Sequence, residues 1–311
     1  MGEKNITSPT YFTLLGLTRV PELQFPLFSV FLYIYGITVV GNVGMIVLTK
    51  LDSCLHTPMY FFIRHLAFID LGNSTVICPK MLVNFVVDQN TISYQACAMQ
   101  LCFFLMFIIS EFFILSAMAY DRYVAICHPL LYNIVMSQRR CHVLVGATYL
   151  YSTFLSLMFT ARIFTLDFCG SNIIRHFYCD DVPLLPMLCS NPQEIQLLII
   201  FFSAFNLISS LLVVLLSYVL IVIAIWKMNS AEGRKKAFST CGSHLTVVVV
   251  FYGSLLFMYL QPESAHSFET DKIASVFYTL VIPMLNPLIY SFRNKEVKNA
   301  FHRVFKKQCK F

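Results

Sequence analysis

The sequence predicts an all-α membrane protein, a single bundle of seven transmembrane helices. The first observation is the composition: 58% of the 311 residues are hydrophobic and only 12% are charged, which is roughly half the charged fraction of a soluble domain. The second is that the apolar residues form seven runs, each close to the roughly 20 residues that a helix needs to cross the hydrocarbon core. This composition excludes a small secreted disulfide-rich protein, a disordered chain and a nucleic-acid-binding domain.

The seven runs differ more in how many charged residues they contain than in length. Six contain no Lys, Arg, Asp or Glu over most of their length, and the third run continues past Glu111 as one long helix. The second run contains Arg64, Asp70 and Lys80, but its many Phe, Ile, Leu and Tyr residues keep it apolar enough to span. The predicted spans cover residues 25–49, 58–84, 93–121, 141–161, 195–226, 237–260 and 272–292.

Positively charged side chains set the orientation, because segments beside the cytoplasm keep an excess of Lys and Arg. Most of the 22 Lys and Arg residues fall at the inner ends if the C-terminus is cytoplasmic. The sequence therefore predicts an extracellular tail of residues 1–24 and a cytoplasmic tail of residues 293–311 with a short amphipathic helix. We expect no cleavable signal peptide, because the first apolar run starts late and is long enough to span. The sequon at Asn5 is exposed for glycosylation, whereas the one at Asn73 lies in the bilayer.

The eleven cysteines sort by compartment. The four on the outer side, where disulfides persist, are Cys97, Cys169, Cys179 and Cys189. Four cysteines can pair in three ways, and at least one bridge is expected to tie the second outer loop over the bundle. The other seven are expected to be free thiols, and Cys309, in a basic tail near the membrane, is a candidate for acylation.

Two carboxylates, Asp70 and Glu111, lie at bilayer depth, where an ionisable residue suggests a functional site. Counted along their helices, they lie about 18 Å and about 15 Å from the cytoplasmic edge. Two acids at one level suggest a shared Na⁺ or proton that modulates the protein. The alternative is a protonated, hydrogen-bonded structural pair.

Two further features suggest moving parts. The Asp-Arg-Tyr sequence at 121–123 ends the third span, where a charged pair can lock the helix and release it; a snorkelling Arg122 is the simpler explanation. In the seventh span, Pro283 and Pro287 each remove a backbone hydrogen bond, and Asn286 lies between them. We expect a hinge there.

Four longer sequences carry a resemblance. They are LHTPMYFF at 55–62, MAYDRYVAICHPLLY at 118–132, KAFSTCGSHL at 236–245 and PMLNPLIYSFRN at 283–294. Together they strongly resemble the odorant receptor family of land vertebrates, within the rhodopsin-like G-protein-coupled receptors. The resemblance implies a non-enzymatic plasma-membrane receptor of olfactory cilia. It would bind a small volatile ligand and activate the olfactory stimulatory G protein, which raises cyclic AMP.

The resemblance also implies disulfides between Cys97 and Cys179 and between Cys169 and Cys189, and a ligand site in the outer half of the bundle. The matching ligand-binding positions are Phe104, Leu105, Ile108, Ile109, Phe112, Phe202, Ser203, Asn206, Leu207, Tyr252, Leu255, Leu256, Tyr259, Val276 and Thr279. A mostly apolar pocket gains specificity from a few hydrogen-bonding groups. We expect a largely apolar odorant with one carbonyl, hydroxyl or ether oxygen, and no carboxylate ligand, since this set contains no basic residue.

The resemblance also implies that a second set of residues, at the cytoplasmic side, couples the receptor to its G protein. They are Asp121, Arg122, Tyr123, Tyr218, His244, Asn286, Pro287 and Tyr290. Tyr252 occupies the level at which many rhodopsin-like receptors have a Trp, and we expect it to connect the ligand to the coupling side.

Three features lie outside this expectation. Arg64 and His65 stand where the resemblance implies a polar, uncharged pair. The set His176, Cys179 and Asp180 has the look of a copper or zinc site, but a cysteine in a disulfide is no thiolate ligand, so we expect no metal there. The intramembrane acids leave a cation- or proton-coupled transporter as the alternative function. An intramembrane enzyme is disfavoured, because no nucleophile and base are paired at one depth.

Overall fold

The structure, a computed structural model, describes residues 10–18, 20–87, 89–169, 171–189, 193–259 and 268–308. Each predicted span corresponds to a helix in it, and the all-α membrane fold is confirmed. The first five spans are Pro21–Leu51, Pro58–Val86, Tyr94–Cys127, Gln138–Phe164 and Gln193–Lys227. The sixth is Ala231–Tyr259, and the seventh is built from Phe268–Val276, a π-helical turn Phe277–Val281 and Ile282–Arg293.

The helices extend beyond the predicted apolar runs because their ends use good helix-starting residues. Pro21 and Pro58 occupy first-turn positions, where proline loses no hydrogen bond. The Ser93 hydroxyl accepts from the backbone N–H of Ala96 and caps the third span. The first turns of the sixth span carry charged residues such as Arg234, and within the described residues its apolar stretch is Cys241–Leu256.

The third span lies at the centre of the bundle and packs against the second, fourth and fifth spans. Small polar side chains join it to its neighbours: the hydroxyls of Ser110 and Ser152 lie 2.7 Å apart, and Ser116 donates to the carbonyl of Ser210 at 3.1 Å. Small hydroxyl residues suit this position, because they let helices approach closely and bond across a membrane interface.

One glycine is required by such a close approach. A Cβ added at Gly72 on the second span would collide with the ring of Phe107 on the third. Gly44 on the first span, by contrast, faces open space. The missing side chain at residue 72 leaves room for the Phe107 ring between the two helices.

The predicted outer end carries a small sheet that the sequence analysis did not predict. Strand β1, Tyr11–Leu14, pairs antiparallel with β2, Thr91–Ser93, and parallel with β3, Ile173–Ile174. Its strands come from three distant parts of the chain and are two to four residues long. So short a strand has no periodicity of its own, and its pairing depends on the tertiary structure.

Two disulfides hold the second outer loop against this end. The structure joins Cys97 at the start of the third span to Cys179, and Cys169 to Cys189 within the loop. Within the described residues the free thiols are Cys54, Cys78, Cys102, Cys127, Cys141 and Cys241. Cys309 and its proposed acylation lie outside the described residues, as does Asn5.

At the opposite end, the helix Lys295–Gln308 follows the seventh span. Arg303 Nε donates to Asp52 Oδ2 at 2.9 Å, which lowers the pKa of the Asp52 carboxyl, and Tyr60 donates to Glu296 at 2.7 Å. These contacts hold the helix against the first inner loop and the second span.

Arg64 has a structural role. Its Nε donates to Thr49 Oγ1 at 3.2 Å, and its Nη2 donates to the carbonyl oxygen of Thr49 in the last turn of the first span. A cation at a helix C-terminus satisfies free carbonyls and favours the helix dipole. His65 lies within 3.3 Å of the Tyr149 hydroxyl on the fourth span.

Candidate ligand cavity and coupling region

A cavity of about 810 Å³ lies at the outer end of the bundle, between the third and fifth spans and under the second outer loop. Nine of the predicted ligand-binding residues line it. They are Leu105, Ile108, Ile109, Phe112, Phe202, Ser203, Asn206, Leu207 and Leu255. The four from the third span share one helical face, as their spacing predicts.

Five predicted residues do not line this cavity. Phe104 packs its ring on Tyr178 and Tyr278 instead, and the Thr279 hydroxyl donates to the carbonyl of Ser275 in its own helix. Leu256 and Val276 are half-buried away from the cavity wall. Tyr252, the fifth, contacts Phe112 instead. The side chain of a sixth predicted residue, Tyr259, lies outside the described residues.

Tyr252 lies beneath the cavity floor. Its hydroxyl donates to the carbonyl oxygen of Phe112 at 3.4 Å, and its ring packs against the Phe112 ring at 6.0 Å. Since Phe112 itself lines the cavity, Tyr252 is one contact removed from a bound ligand. It joins the sixth span to the third.

Sequence reasoning missed the contribution of the loop. The loop residues Arg175, His176, Asp180 and Asp181 line the cavity, together with apolar residues such as Met187. The cavity wall therefore does contain a basic residue, Arg175, although the predicted set that argued against a carboxylate ligand had none. The disulfide between positions 97 and 179 was the clue, because it fixes the adjoining loop residues over the third span.

Among these loop residues, His176 is buried, Asp180 and Asp181 are half-buried and Arg175 is exposed. Burial shifts the pKa values of the first three. It raises the pKa of Asp180 well above the ordinary value and also raises that of Asp181. Burial and the charge of Lys272 lower the pKa of His176 to about 3, so this imidazole is neutral at physiological pH. Burial therefore disfavours the charged form of all three groups.

A chain of hydrogen bonds links this loop to the seventh span. The Tyr178 hydroxyl donates to Asp180 Oδ2 at 3.1 Å and lies 2.8 Å from the Tyr278 hydroxyl. Ser275 Oγ lies 3.2 Å from the Tyr278 hydroxyl and 3.2 Å from His176 Nε2. The chain fixes the loop as the outer wall of the cavity.

At the coupling side, Arg122 is held in a closed arrangement. Its Nη2 and Nε donate to Asp121 Oδ2 at 2.6 Å and 3.1 Å, and the hydroxyl of Tyr132 donates to Asp121 Oδ1 at 2.8 Å. Tyr123 points away, with its hydroxyl 3.0 Å from His128 Nε2. The Asp121 carboxylate thus neutralises the buried guanidinium within its own helix.

The other predicted coupling residues make contacts separate from this pair. The Tyr218 hydroxyl lies 2.7 Å from His244 Nδ1 and joins the fifth and sixth spans. The Tyr290 hydroxyl is buried and has no hydrogen-bond partner among the described residues. Pro287 lies inside the last helical segment of the seventh span.

The two intramembrane carboxylates are fully buried but have different partners. Asn286 Nδ2 donates to both carboxylate oxygens of Asp70, at 3.0 Å and 3.2 Å. Both oxygens of Glu111, and both polar atoms of the Asn73 side chain, have no hydrogen-bond partner in the described part of the chain. Unpartnered oxygens at this depth fit a hard cation, which prefers oxygen ligands.

A transition-metal site at the loop has no support in the geometry. Cys179 is in a disulfide, and no cluster of three His, Cys, Asp or Glu side chains that could hold a metal ion occurs within the described ranges.

Comparison with known proteins agrees with this architecture. A family model described as "Olfactory receptor" matches residues 31–308. Human olfactory receptor 8K5 is 79% identical over 305 residues, covering 98% of this chain and 99% of that protein. Human olfactory receptor 8K3 is 68% identical over 309 residues, and mouse olfactory receptor 8U3 is 56% identical over 307 residues. These alignments cover 99% of this chain in both cases, and 99% and 96% of the relatives.

A crystal structure of squid rhodopsin has the same fold, with a TM-score of 0.72 over 92% of this chain and 81% of that chain, at 19% identity. The protein is therefore an odorant receptor with a rhodopsin-like fold and not an enzyme, and nothing favours the transporter alternative. The chain belongs to the olfactory receptor family.

Proposed function

We propose that this receptor binds a small, mostly apolar odorant in the cavity between the third and fifth spans. Binding activates the olfactory stimulatory G protein and raises cyclic AMP. The observation that carries the proposal is the cavity itself: about 810 Å³, within the size range of small-molecule sites. Apolar side chains form its floor, and Ser203 and Asn206 supply polar groups on the fifth span.

The receptor acts at the plasma membrane, with olfactory cilia as the expected location. The N-terminal tail is outside and glycosylated at Asn5, and the coupling region faces the cytoplasm. The excess of Lys and Arg at that side supports this orientation.

The ligand acts through Phe112 and Tyr252. An odorant bound against Phe112 displaces the Phe112 ring, which packs against the ring of Tyr252. The sixth span moves with Tyr252. The movement separates the sixth span from the third at the cytoplasmic side and frees Arg122 from Asp121. Ligand binding drives this step only to the extent that the open state binds the odorant more tightly.

The open form presents Arg122 to the G protein. Two hydroxyl groups stabilise the released guanidinium. One belongs to Tyr218, which pairs with His244 in the closed form, and the other to Tyr290, which has no partner among the described residues. Because the pairs in the closed form are buried and satisfied, the receptor without ligand stays in that form.

We propose that Na⁺ modulates this equilibrium at Asp70 and Glu111. Asn286 and Asn73 supply further oxygen and nitrogen groups at the same site. A cation there would neutralise buried carboxylates whose ionised form is costly in a bilayer, and would stabilise the closed bundle.

The test is cyclic AMP in cells that carry the receptor and the olfactory G protein, across an odorant panel. We expect a dose-dependent rise that Arg122→Ala removes, with surface display measured for both proteins. Silence of displayed wild-type receptor, with basal cyclic AMP equal to that of the variant, would contradict the proposal. An unaltered response in Arg122→Ala would contradict the switch role of Arg122.

A further inference from the structure

Asn206 presents one half of its amide to the ligand cavity. The side chain is 3% exposed and lines the cavity. Its Oδ1 atom accepts a hydrogen bond from the Tyr151 hydroxyl at 2.9 Å, whereas Nδ2 makes no hydrogen bond with any described residue. The group left for a ligand is therefore an N–H donor.

Tyr151 itself does not line the ligand cavity. It lies on the fourth span, beside a membrane-facing groove, and its ring packs edge-on against Phe113 at 5.3 Å. One turn along the same helix, Ser209 Oγ donates to the main-chain carbonyl of Asn206 at 3.3 Å. Both the tyrosine ring and the asparagine backbone are thus fixed before any ligand enters.

The direction of the bond follows from its surroundings. A phenol hydroxyl must donate its proton somewhere, and a bilayer core offers no water as acceptor. An amide carbonyl oxygen is an acceptor only, while the amide nitrogen is a donor only. Tyr151 therefore holds the Asn206 oxygen toward itself and the nitrogen away.

We propose that Tyr151 is a positioning residue that sets the ligand class of this receptor. By holding the Asn206 amide with its N–H group toward the cavity, it selects odorants with a hydrogen-bond acceptor, such as ketones, aldehydes and esters. The proposal rests on the proposed function, because it deepens the chemistry of the same cavity.

Loss of the hydroxyl releases the amide. In Tyr151→Phe the side-chain amide of Asn206 can flip, and it can then offer either its oxygen or its nitrogen to the cavity. A ketone can use only one of the two orientations, but an alcohol can use both, because its hydroxyl donates and accepts. The variant should discriminate against ketones relative to alcohols of the same carbon skeleton.

The first measurement needs no agonist. The thermal unfolding midpoints of purified wild-type receptor, Tyr151→Phe, Asn206→Leu and the double variant form a double-mutant cycle. We expect the double variant to lose less than the sum of the single losses, because the two single variants break the same bond. Additive losses would overturn the proposal, whatever the receptor binds.

The second measurement is the potency of matched ketone and secondary-alcohol pairs in the cyclic AMP assay. For Tyr151→Phe we expect the ratio of ketone EC50 to alcohol EC50 to rise about twofold, because only about half of the freed Asn206 amides then present the N–H group that a ketone needs. The control is Tyr149→Phe, two residues away on the same helix, whose hydroxyl lies near His65 rather than Asn206. This control should leave the ratio unchanged.

An equal shift in both tyrosine variants, or a ratio that moves toward ketones in Tyr151→Phe, would overturn the positioning role. A merely structural Tyr151 would lower surface display without changing the ratio. Silence of wild-type receptor toward every odorant contradicts the proposed function, and the unfolding cycle still decides whether Tyr151 holds Asn206.

Discussion

The outer and inner halves of the bundle use their polar residues differently. In the outer half, a cavity of about 810 Å³ lies between the third and fifth spans, and only the Oδ1 atom of the Asn206 amide is hydrogen-bonded among the described residues. In the inner half, Arg122 and Asp121 are paired with each other and buried. Under the proposed function, the outer half exchanges contacts with a ligand, while the inner half switches between two sets of internal contacts.

Two layers connect these halves. Phe112 and Tyr252 form the upper layer, directly under the cavity. Asp70, Glu111 and Asn286 form the lower one, with Glu111 still lacking a partner in the described residues. A ligand and a cation can therefore act on the same helices from different levels.

The largest expected effect on stability comes from disturbing the close packing between the second and third spans, at Gly72 and Phe107. In Gly72→Ala the new Cβ meets the Phe107 ring, which must shift. Overpacking of this kind typically destabilises by about 1–3 kcal/mol. We expect a clear fall in thermal midpoint and in surface display, measured by unfolding in detergent and by cell-surface labelling. The control Gly44→Ala faces open space and should be neutral or slightly stabilising; equal losses would contradict this packing.

The outer half should respond to pH through His176. Its pKa is about 3 in the folded protein and near 6.5 when unfolded. Between these values the unfolded state binds the proton more tightly, so stability is present above pH 6.5 and is lost as pH falls toward 3.

We therefore expect the contribution of His176 to thermal stability, measured as wild type minus the variant His176→Gln, to fall between pH 7 and pH 5, by up to about 1.4 kcal/mol per pH unit below 6.5. Asp180 and Asp181 have raised pKa values and act in the opposite direction, equally in both proteins. Parallel pH profiles of the two proteins would show that His176 is not a buried neutral imidazole.

The inner half should respond to sodium through Glu111, with a smaller effect. Replacing choline by Na⁺ should raise the agonist EC50 of wild-type receptor roughly fivefold, a typical lower value for allosteric coupling. Glu111→Gln, which keeps the shape but removes the charge, should abolish this dependence, whereas Glu22→Gln at the start of the first span should retain it. A wild-type receptor indifferent to Na⁺ would indicate a protonated structural pair instead.

Much of this architecture could be predicted from the sequence, for clear reasons. A helix that crosses a bilayer must be apolar over its own length, so the spans are visible locally. The face formed by Leu105, Ile108, Ile109 and Phe112 follows from helical spacing alone. Both kinds of feature depend on neighbouring residues in the chain.

The missed features depend on distant residues. Strand β1 pairs with residues 91–93 and 173–174, which no local pattern reveals. Asp180 and His176 line the cavity because a disulfide fixes their loop there. Thr279 was expected at the ligand, but its hydroxyl bonds the carbonyl one turn earlier in its own helix, a common alternative for threonine. Only the packed structure separates these outcomes.

The most direct test of the ligand site uses two adjacent residues of the fifth span. Leu207 lines the cavity, while Ile208 is 56% exposed on the outer surface of the bundle. At equal surface display, Leu207→Trp should fill the cavity and raise the EC50 of an activating odorant at least about tenfold, the equivalent of about 1.4 kcal/mol. Ile208→Trp should leave it unchanged. Equal effects of the two substitutions, or an unchanged EC50 in Leu207→Trp, would contradict the assignment of this cavity as the odorant site.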